Sequence, residues 1–224
     1  MARFTRMQVL NTVAEAGMVP LYYSKDVELC KQIIGACYKA GVRVFEFTNR
    51  GDFAHETFAE LNKWAAKECP ELIMGVGSIV DPGTASLYIQ LGTNFIVSPL
   101  LNPEIAKVCN RRKIPWMPGC ATLSEINLAE ELGVEVVKIF PAKEIGGPAF
   151  VKAIKGPCPW TSIMPSGGVS PDAENLKAWF DAGVTCVGMG SQLFPENLIK
   201  DKKFDELSQK IKETVDLIKQ LKKK

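Results

Sequence analysis

A lysine occupies a stretch that otherwise reads as a buried strand. Val134 to Ala142 is VEVVKIFPA, and alternation along a strand sets Lys138 on the same face as Val136 and Phe140. Burial disfavours the charged form of an amine and lowers its pKa, so an ammonium in such company either finds a counter-charge or gives up its proton. The neutral amine is a nucleophile able to attack a carbonyl carbon and form a Schiff base. On this strand alone, a lysine paired with a carboxylate for structural reasons fits equally well.

A second segment bears on that choice. In VRVFEFTNRG, from Val42, alternation groups Glu46 with Val44 and Thr48, opposite Phe45 and Phe47. Glu46 and Lys138 are therefore both expected to point inward from separate strands, the amine for covalent work and the carboxylate to move protons. A buried salt bridge is the competing reading, weakened because buried ion pairs seldom recover their desolvation cost. Arg50, just past the same strand beside Asn49 and Gly51, could clamp a carboxylate with two parallel hydrogen bonds. Ser78 ends GVGSIVDP, where two glycines would let the backbone approach a ligand and the hydroxyl would complete a carboxylate pocket; ordinary turn chemistry explains the same residues. Two late glycine turns, MPSGGVSPD and VGMGSQLF, have the form of anion nests, which makes Gly167, Gly168, Gly190 and Ser191 the expected phosphate contacts. Neither turn is a GxxxxGK[ST] loop, so nucleoside triphosphates are not implied.

These residues need a scaffold that gathers strand ends. One phrase recurs, KAGVRVFEF, QLGTNFIVS, ELGVEVVKIF and DAGVTCVGMG, in each case a helical pattern closing on glycine before a β-branched strand. Further strands read at MVPLYY, LIMGVG, IPWMPG and SIMPSGG, eight in all. Asp81-Pro82, Asn102-Pro103 and Ser170-Pro171 each place a capping side chain before proline, and Thr122 with Glu125 forms a capping box. The expected fold is α/β, a single (β/α)8 TIM-barrel domain over residues 1–224, with Arg6 to Ala16 as an extra N-terminal helix able to plug the floor. An open doubly wound sheet is disfavoured, since no GxGxxG follows the first strand and polar residues cluster at strand ends all along the chain. Phe204, Leu207, Ile211, Val215 and Ile218 predict a packed amphipathic C-terminal helix, its terminal lysines a solvated tail.

Bulk properties narrow the function classes. A formal charge of +2 gives no electrostatic footprint for nucleic acid or an anionic membrane, so neither is an expected partner. The N-terminus is too polar for a signal peptide and no apolar run suits a membrane span, which leads us to expect a cytoplasmic protein. Seven scattered cysteines without CxxC read as reduced small hydrophobes. His55 is the only histidine, so no metal site and no cofactor are expected.

In unbroken order from about Val19 to Phe194, the set VRVFEFTNR, GVGSI, SP, IPWMPG, VKIFPA, PSGG and GMGS resembles the bacterial 2-keto-3-deoxy-6-phosphogluconate (KDPG) aldolases, some of which also cleave 4-hydroxy-2-oxoglutarate (KHG). The resemblance implies a class I aldolase on a TIM barrel, usually a homotrimer, that splits a phosphosugar acid into pyruvate and glyceraldehyde 3-phosphate. By motif, it assigns the Schiff base to Lys138 and proton shuttling to Glu46. It assigns the pyruvyl carboxylate to Arg50 and Ser78, and the phosphate to Ser166, Gly167, Gly168 and Ser191 with Gly190 adjacent. Pro99 and Phe140 complete the expected substrate contacts. The chain departs from the family's usual pattern with Leu100 after Ser98-Pro99, expected to narrow the mouth, and with Ser78 and Ser166 where threonine is frequent. Specificity for the galactonate epimer (KDPGal) would preserve every catalytic residue, a phosphosugar isomerase or epimerase would share the phosphate turns without an imine, and a non-catalytic descendant fits least.

Overall fold

A computed structural model describes residues 2–223, and in it the recurring glycines act as helix stops. Gly41, Gly92, Gly133 and Gly183 take φ of 94°, 87°, 84° and 93°, a left-handed turn that glycine adopts without a Cβ clash. The chain runs α1 (Arg6–Ala16), β1 (Met18–Tyr22), α2 (Val27–Lys39), β2 (Val44–Thr48), α3 (Ala54–Glu68), β3 (Ile73–Gly77), α4 (Pro82–Gln90), β4 (Ile96–Val97) and α5 (Pro103–Arg112). It continues with β5 (Trp116–Met117), β6 (Gly119–Cys120), α6 (Leu123–Glu131), β7 (Val137–Ile139), α7 (Gly147–Lys155), β8 (Ile163–Pro165), α8 (Ala173–Asp181), β9 (Val187–Met189), α9 (Glu196–Lys200) and α10 (Phe204–Lys222).

Capping follows the sequence at three of the four signals. Asp81 accepts from the Thr84 amide at 2.8 Å, Asn102 from that of Glu104 at 3.0 Å, and Thr122 and Glu125 form the reciprocal box. The fourth is displaced: α8 is capped by Asp172, which accepts from the Asn175 amide at 2.9 Å, and Pro171 precedes the cap. The Asn175 side-chain oxygen Oδ1 in turn accepts from the Ser170 amide at 3.0 Å, so Ser170 is held outside the helix.

Where eight strands were expected, the described residues form nine in two hydrogen-bonded sheets, six in the order β5-β4-β3-β2-β1-β9 and three in the order β6-β7-β8. Every pairing between named strands is parallel. IPWMPG, expected as one strand, is cut into β5 and β6 at Pro118, which has no N–H to continue the ladder. On the far side, one parallel bridge, Ser166 to Gly188, links the end of β8 to β9.

Alternation sorts the strand side chains into two clusters. Val19, Val44, Ile73, Val97, Met117, Val136 and Met164 share an inner cluster with Val9 and Val13 of α1, so the N-terminal helix is a plug packed against the inner faces of the strands. Phe45 and Phe47 belong instead to the larger layer beneath the helices. Arg6 pins the plug: its guanidinium meets both Glu135 oxygens at 2.8 and 2.9 Å, the Asn110 side chain at 2.8 Å and the Gly133 carbonyl at 2.7 Å. The opposite end is held too, because the Lys222 ammonium donates to the carbonyls of Ala14 and Thr185. That lysine is a clamp between α10 and α1, not the solvated tail the sequence suggests; Lys224 lies outside the described residues.

All seven cysteines are free thiols; six are buried and Cys158 is half-buried. Among the described residues, no helix is long and apolar enough to cross a membrane.

Candidate active site

Glu46 and Lys138 sit inside the strand layer, 2% and 6% exposed. Register fixes their neighbours: Glu46 lies opposite Gly75 on β3, and Lys138 lies between Gly119 on β6 and Met164 on β8. Those glycines are the spaces into which larger groups fit. A methyl on Gly77 would meet the Glu46 carboxylate at 1.6 Å, one on Gly75 the Phe95 ring at 2.3 Å, and one on Gly119 the Pro99 carbonyl at 2.3 Å. The two glycines of GVGS therefore make room for Phe95 and Glu46.

Burial pushes the proton affinities of the two buried groups towards neutrality. Desolvation raises the Glu46 pKa, opposed by the nearby charges of Lys138 and Arg50. It lowers that of Lys138, opposed by Glu46 and helped by Arg50. Among the described residues no hydrogen bond or ion pair joins Lys138 to Glu46, so they interact through space. The Lys138 nitrogen lies 4.6 Å from the centre of the Phe140 ring.

Above them opens a cleft of about 730 Å³. It brings together seven of the residues expected from sequence: Arg50, Phe140, Ser166, Gly167, Gly168, Gly190 and Ser191. Lys138 and Glu46 lie one alternation step deeper than two wall residues, Phe140 and Thr48, on the same strand faces. Ser78 and Pro99 are not in the wall. Ser78 stands immediately after Gly77 with φ 62°, a left-handed backbone that is strained for serine. Pro99 packs its carbonyl over Gly119, and the Leu100 side chain, 42% exposed, is not among the groups lining the cleft.

Backbone bonds hold the glycine turn against the lysine strand. The Ser166 amide donates to Ile139 at 3.0 Å, and the Ala142 and Lys143 amides donate to Ser166 and Gly167 at 2.9 and 3.2 Å. Gly167 and Gly168 take φ of 92° and 79°, the type of turn that presents successive amides to an anion. Opposite, the Asn49 amide donates to Gly77 at 2.8 Å and the Asn49 side chain accepts from the Tyr88 hydroxyl at 2.8 Å, fixing the start of the Arg50 loop. The cleft thus joins a guanidinium and a glycine turn, with the buried amine and its nearby acid one alternation step below the wall.

Residues 9–210 match the family model described as KDPG and KHG aldolase. The chain belongs to that family. It is 32% identical to the KHG/KDPG aldolase of Escherichia coli strain K12 over 203 residues, 89% of this chain and 91% of the relative. It is 28% identical over 216 residues to the 2-dehydro-3-deoxy-phosphogluconate aldolase of Haemophilus influenzae, 96% and 99% of the two chains. A solved KDPG aldolase from Legionella pneumophila, with pyruvate captured as a covalent carbinolamine, superposes with a TM-score of 0.81 at 27% identity, covering 90% and 95% of the chains.

Several wall residues of this family member escaped the sequence reading. Thr48, Tyr22 and Tyr23 line the cleft, and all three sit at strand ends, so the rule that found Arg50 would have found them. Gln192, Glu196 and Lys200 also line it. They lie beyond the last strand, where no alternation pattern signals a direction.

Proposed function

We propose that this chain is a class I aldolase that cleaves KDPG to pyruvate and glyceraldehyde 3-phosphate and acts also on KHG. One observation carries the reading: a lysine 6% exposed, its proton affinity lowered by burial, beside an equally buried carboxyl under a cleft that holds an arginine and an anion turn. Neutral Lys138 attacks the C2 ketone to give a carbinolamine, of the kind captured in the Legionella relative. Loss of water gives a protonated imine. The imine accepts the electron pair of the C3–C4 bond as Glu46 takes the C4 hydroxyl proton, which releases the aldehyde. Protonation of the enamine at C3 and hydrolysis then free pyruvate. Arg50, with Ser78, orients the carboxylate, while Ser166, Gly167, Gly168, Gly190 and Ser191 hold the phosphate, whose binding energy positions the bond to be broken. Pro99 and Phe140 border the imine carbon.

The scaffold we infer is one domain closed into an eight-unit barrel. Support comes from the single residue separating β5 from β6 and from the bridge between Ser166 and Gly188, which together span both gaps between the sheets. We extend the proposal to a homotrimer, which analytical ultracentrifugation tests directly. Borohydride reduction in the presence of pyruvate tests the chemistry. The mass increment is expected on the peptide carrying Lys138, and an increment elsewhere, or none, refutes the assignment. A Glu46→Gln variant is expected to bind substrate yet lose most of its kcat.

A further inference from the structure

We infer that Lys200 is a specificity-determining residue that pairs with the substrate's phosphate, and that Glu196 holds it in reserve when no phosphate is bound; this rests on the aldolase reading above. The glycine turns supply amide dipoles and hydroxyls but no formal positive charge, whereas a phosphate monoester is close to a dianion at neutral pH. Among the described side chains lining the cleft, only Arg50 and Lys200 are cationic and only Glu196 is anionic, with Tyr22 and Tyr23 the other titratable groups; Lys143, whose stem packs over Gly168, lines the adjoining pocket and not this wall. Arg50 follows β2, where the carboxylate is to be held, while Lys200 ends α9, eight residues beyond Gln192, and lines the same cleft as the Gly190-Ser191-Gln192 turn. The second charge therefore stands at the phosphate end.

Its present partner is what makes it a discriminator. The Lys200 nitrogen lies 2.7 Å from Glu196 Oε1, one helical turn back, with both side chains largely exposed (70% and 80%). An exposed pair of this kind is held weakly and is screened by salt. A phosphate with several strong acceptor oxygens can take over the ammonium, while the Glu196 carboxylate, left in the same wall, repels it. An unphosphorylated substrate such as KHG presents nothing to displace Glu196, so the pair stays closed and catalysis proceeds without it.

Opposite effects from the two members of the pair separate this role from simple helix support. The experiment measures kcat/KM for KDPG and for KHG in the wild-type protein, Lys200→Gln and Glu196→Gln, with borohydride trapping of pyruvate on each. Lys200→Gln is expected to lower the KDPG-to-KHG ratio about three- to tenfold through KM. Glu196→Gln is expected to raise it, and added salt should shrink both effects. A ratio unmoved by both variants, or shifted in the same direction by both, overturns the inference while trapping of pyruvate leaves the Schiff-base reading standing. Absence of trapping in the wild-type protein overturns that reading and this inference with it.

Discussion

Replacing Gly77 with alanine adds one methyl group, and the position of that methyl decides the outcome. Its carbon would sit 1.6 Å from Oε1, 2.4 Å from Cδ and 2.9 Å from Cγ of Glu46, so the carboxylate must retreat about 1.4 Å to reach the 3.0 Å below which such contacts are essentially never seen. Misplacing a catalytic group by about 1 Å costs on the order of 100-fold in rate, while overpacking a strand layer costs about 1–3 kcal/mol. Gly75→Ala is the matched control, since its methyl meets the Phe95 ring and not Glu46. Both variants should therefore lose a similar amount of stability, about 2–4 °C in Tm per kcal/mol for a chain of this size. Only Gly77→Ala should in addition lose kcat about 100-fold, read by coupled pyruvate release at temperatures where circular dichroism reports a folded protein. A folded Gly77→Ala enzyme with wild-type kcat would refute either the placement of Glu46 or its part in the reaction.

Lys138→Met should abolish pyruvate trapping and stabilise the fold at neutral pH. Burial holds the folded-state pKa of Lys138 below its ordinary value, so the native state carries a penalty that is complete below that pKa and fades as pH rises towards about 10.4, where the unfolded amine also deprotonates. The gain measured by urea unfolding should accordingly shrink at alkaline pH, and a gain that grows with pH would contradict it. Arg6→Ala removes the two-pronged contact with Glu135 and the bonds to Asn110 and Gly133, and should cost about 1.5–3 kcal/mol in the same assay without altering kcat. Thr122→Ala breaks the capping box of α6 and should cost about 1 kcal/mol, with KM unchanged.

The inward placement of Glu46 and Lys138 was legible because strand alternation is a local rule. Val44 and Val136 share the inner cluster, as the two-residue period requires, and Glu46 and Lys138 follow from the same count. Helix caps at Asp81, Asn102 and Thr122 were legible for the same reason, each being decided within four residues. What failed was decided across the fold. Gly75 and Gly77 are explained by Phe95 and Glu46 on neighbouring strands, so their own segment could not reveal their purpose. Pro118 reads as a turn or a strand interruption only once its ladder partners are known. Lys222 resembles any terminal lysine until the carbonyls of Ala14 and Thr185 are seen beside it. Lys200 escaped because it follows the last strand, on a five-residue helix whose direction no repeat announces.

The distribution of the thiols makes the molecule ready for a spectroscopic reporter. Desolvation pushes Cys30 and Cys69 up to about 11 and Cys109, Cys120 and Cys186 up to about 12, with Cys37 raised further, so at neutral pH these sulfurs are both covered and protonated. Cys158, half-buried and two positions from a Trp160 that is 70% exposed, stands apart from them. A maleimide dye should attach there first without any cysteine being engineered away, and the adjacent indole would quench it in proportion to how that corner of the surface moves.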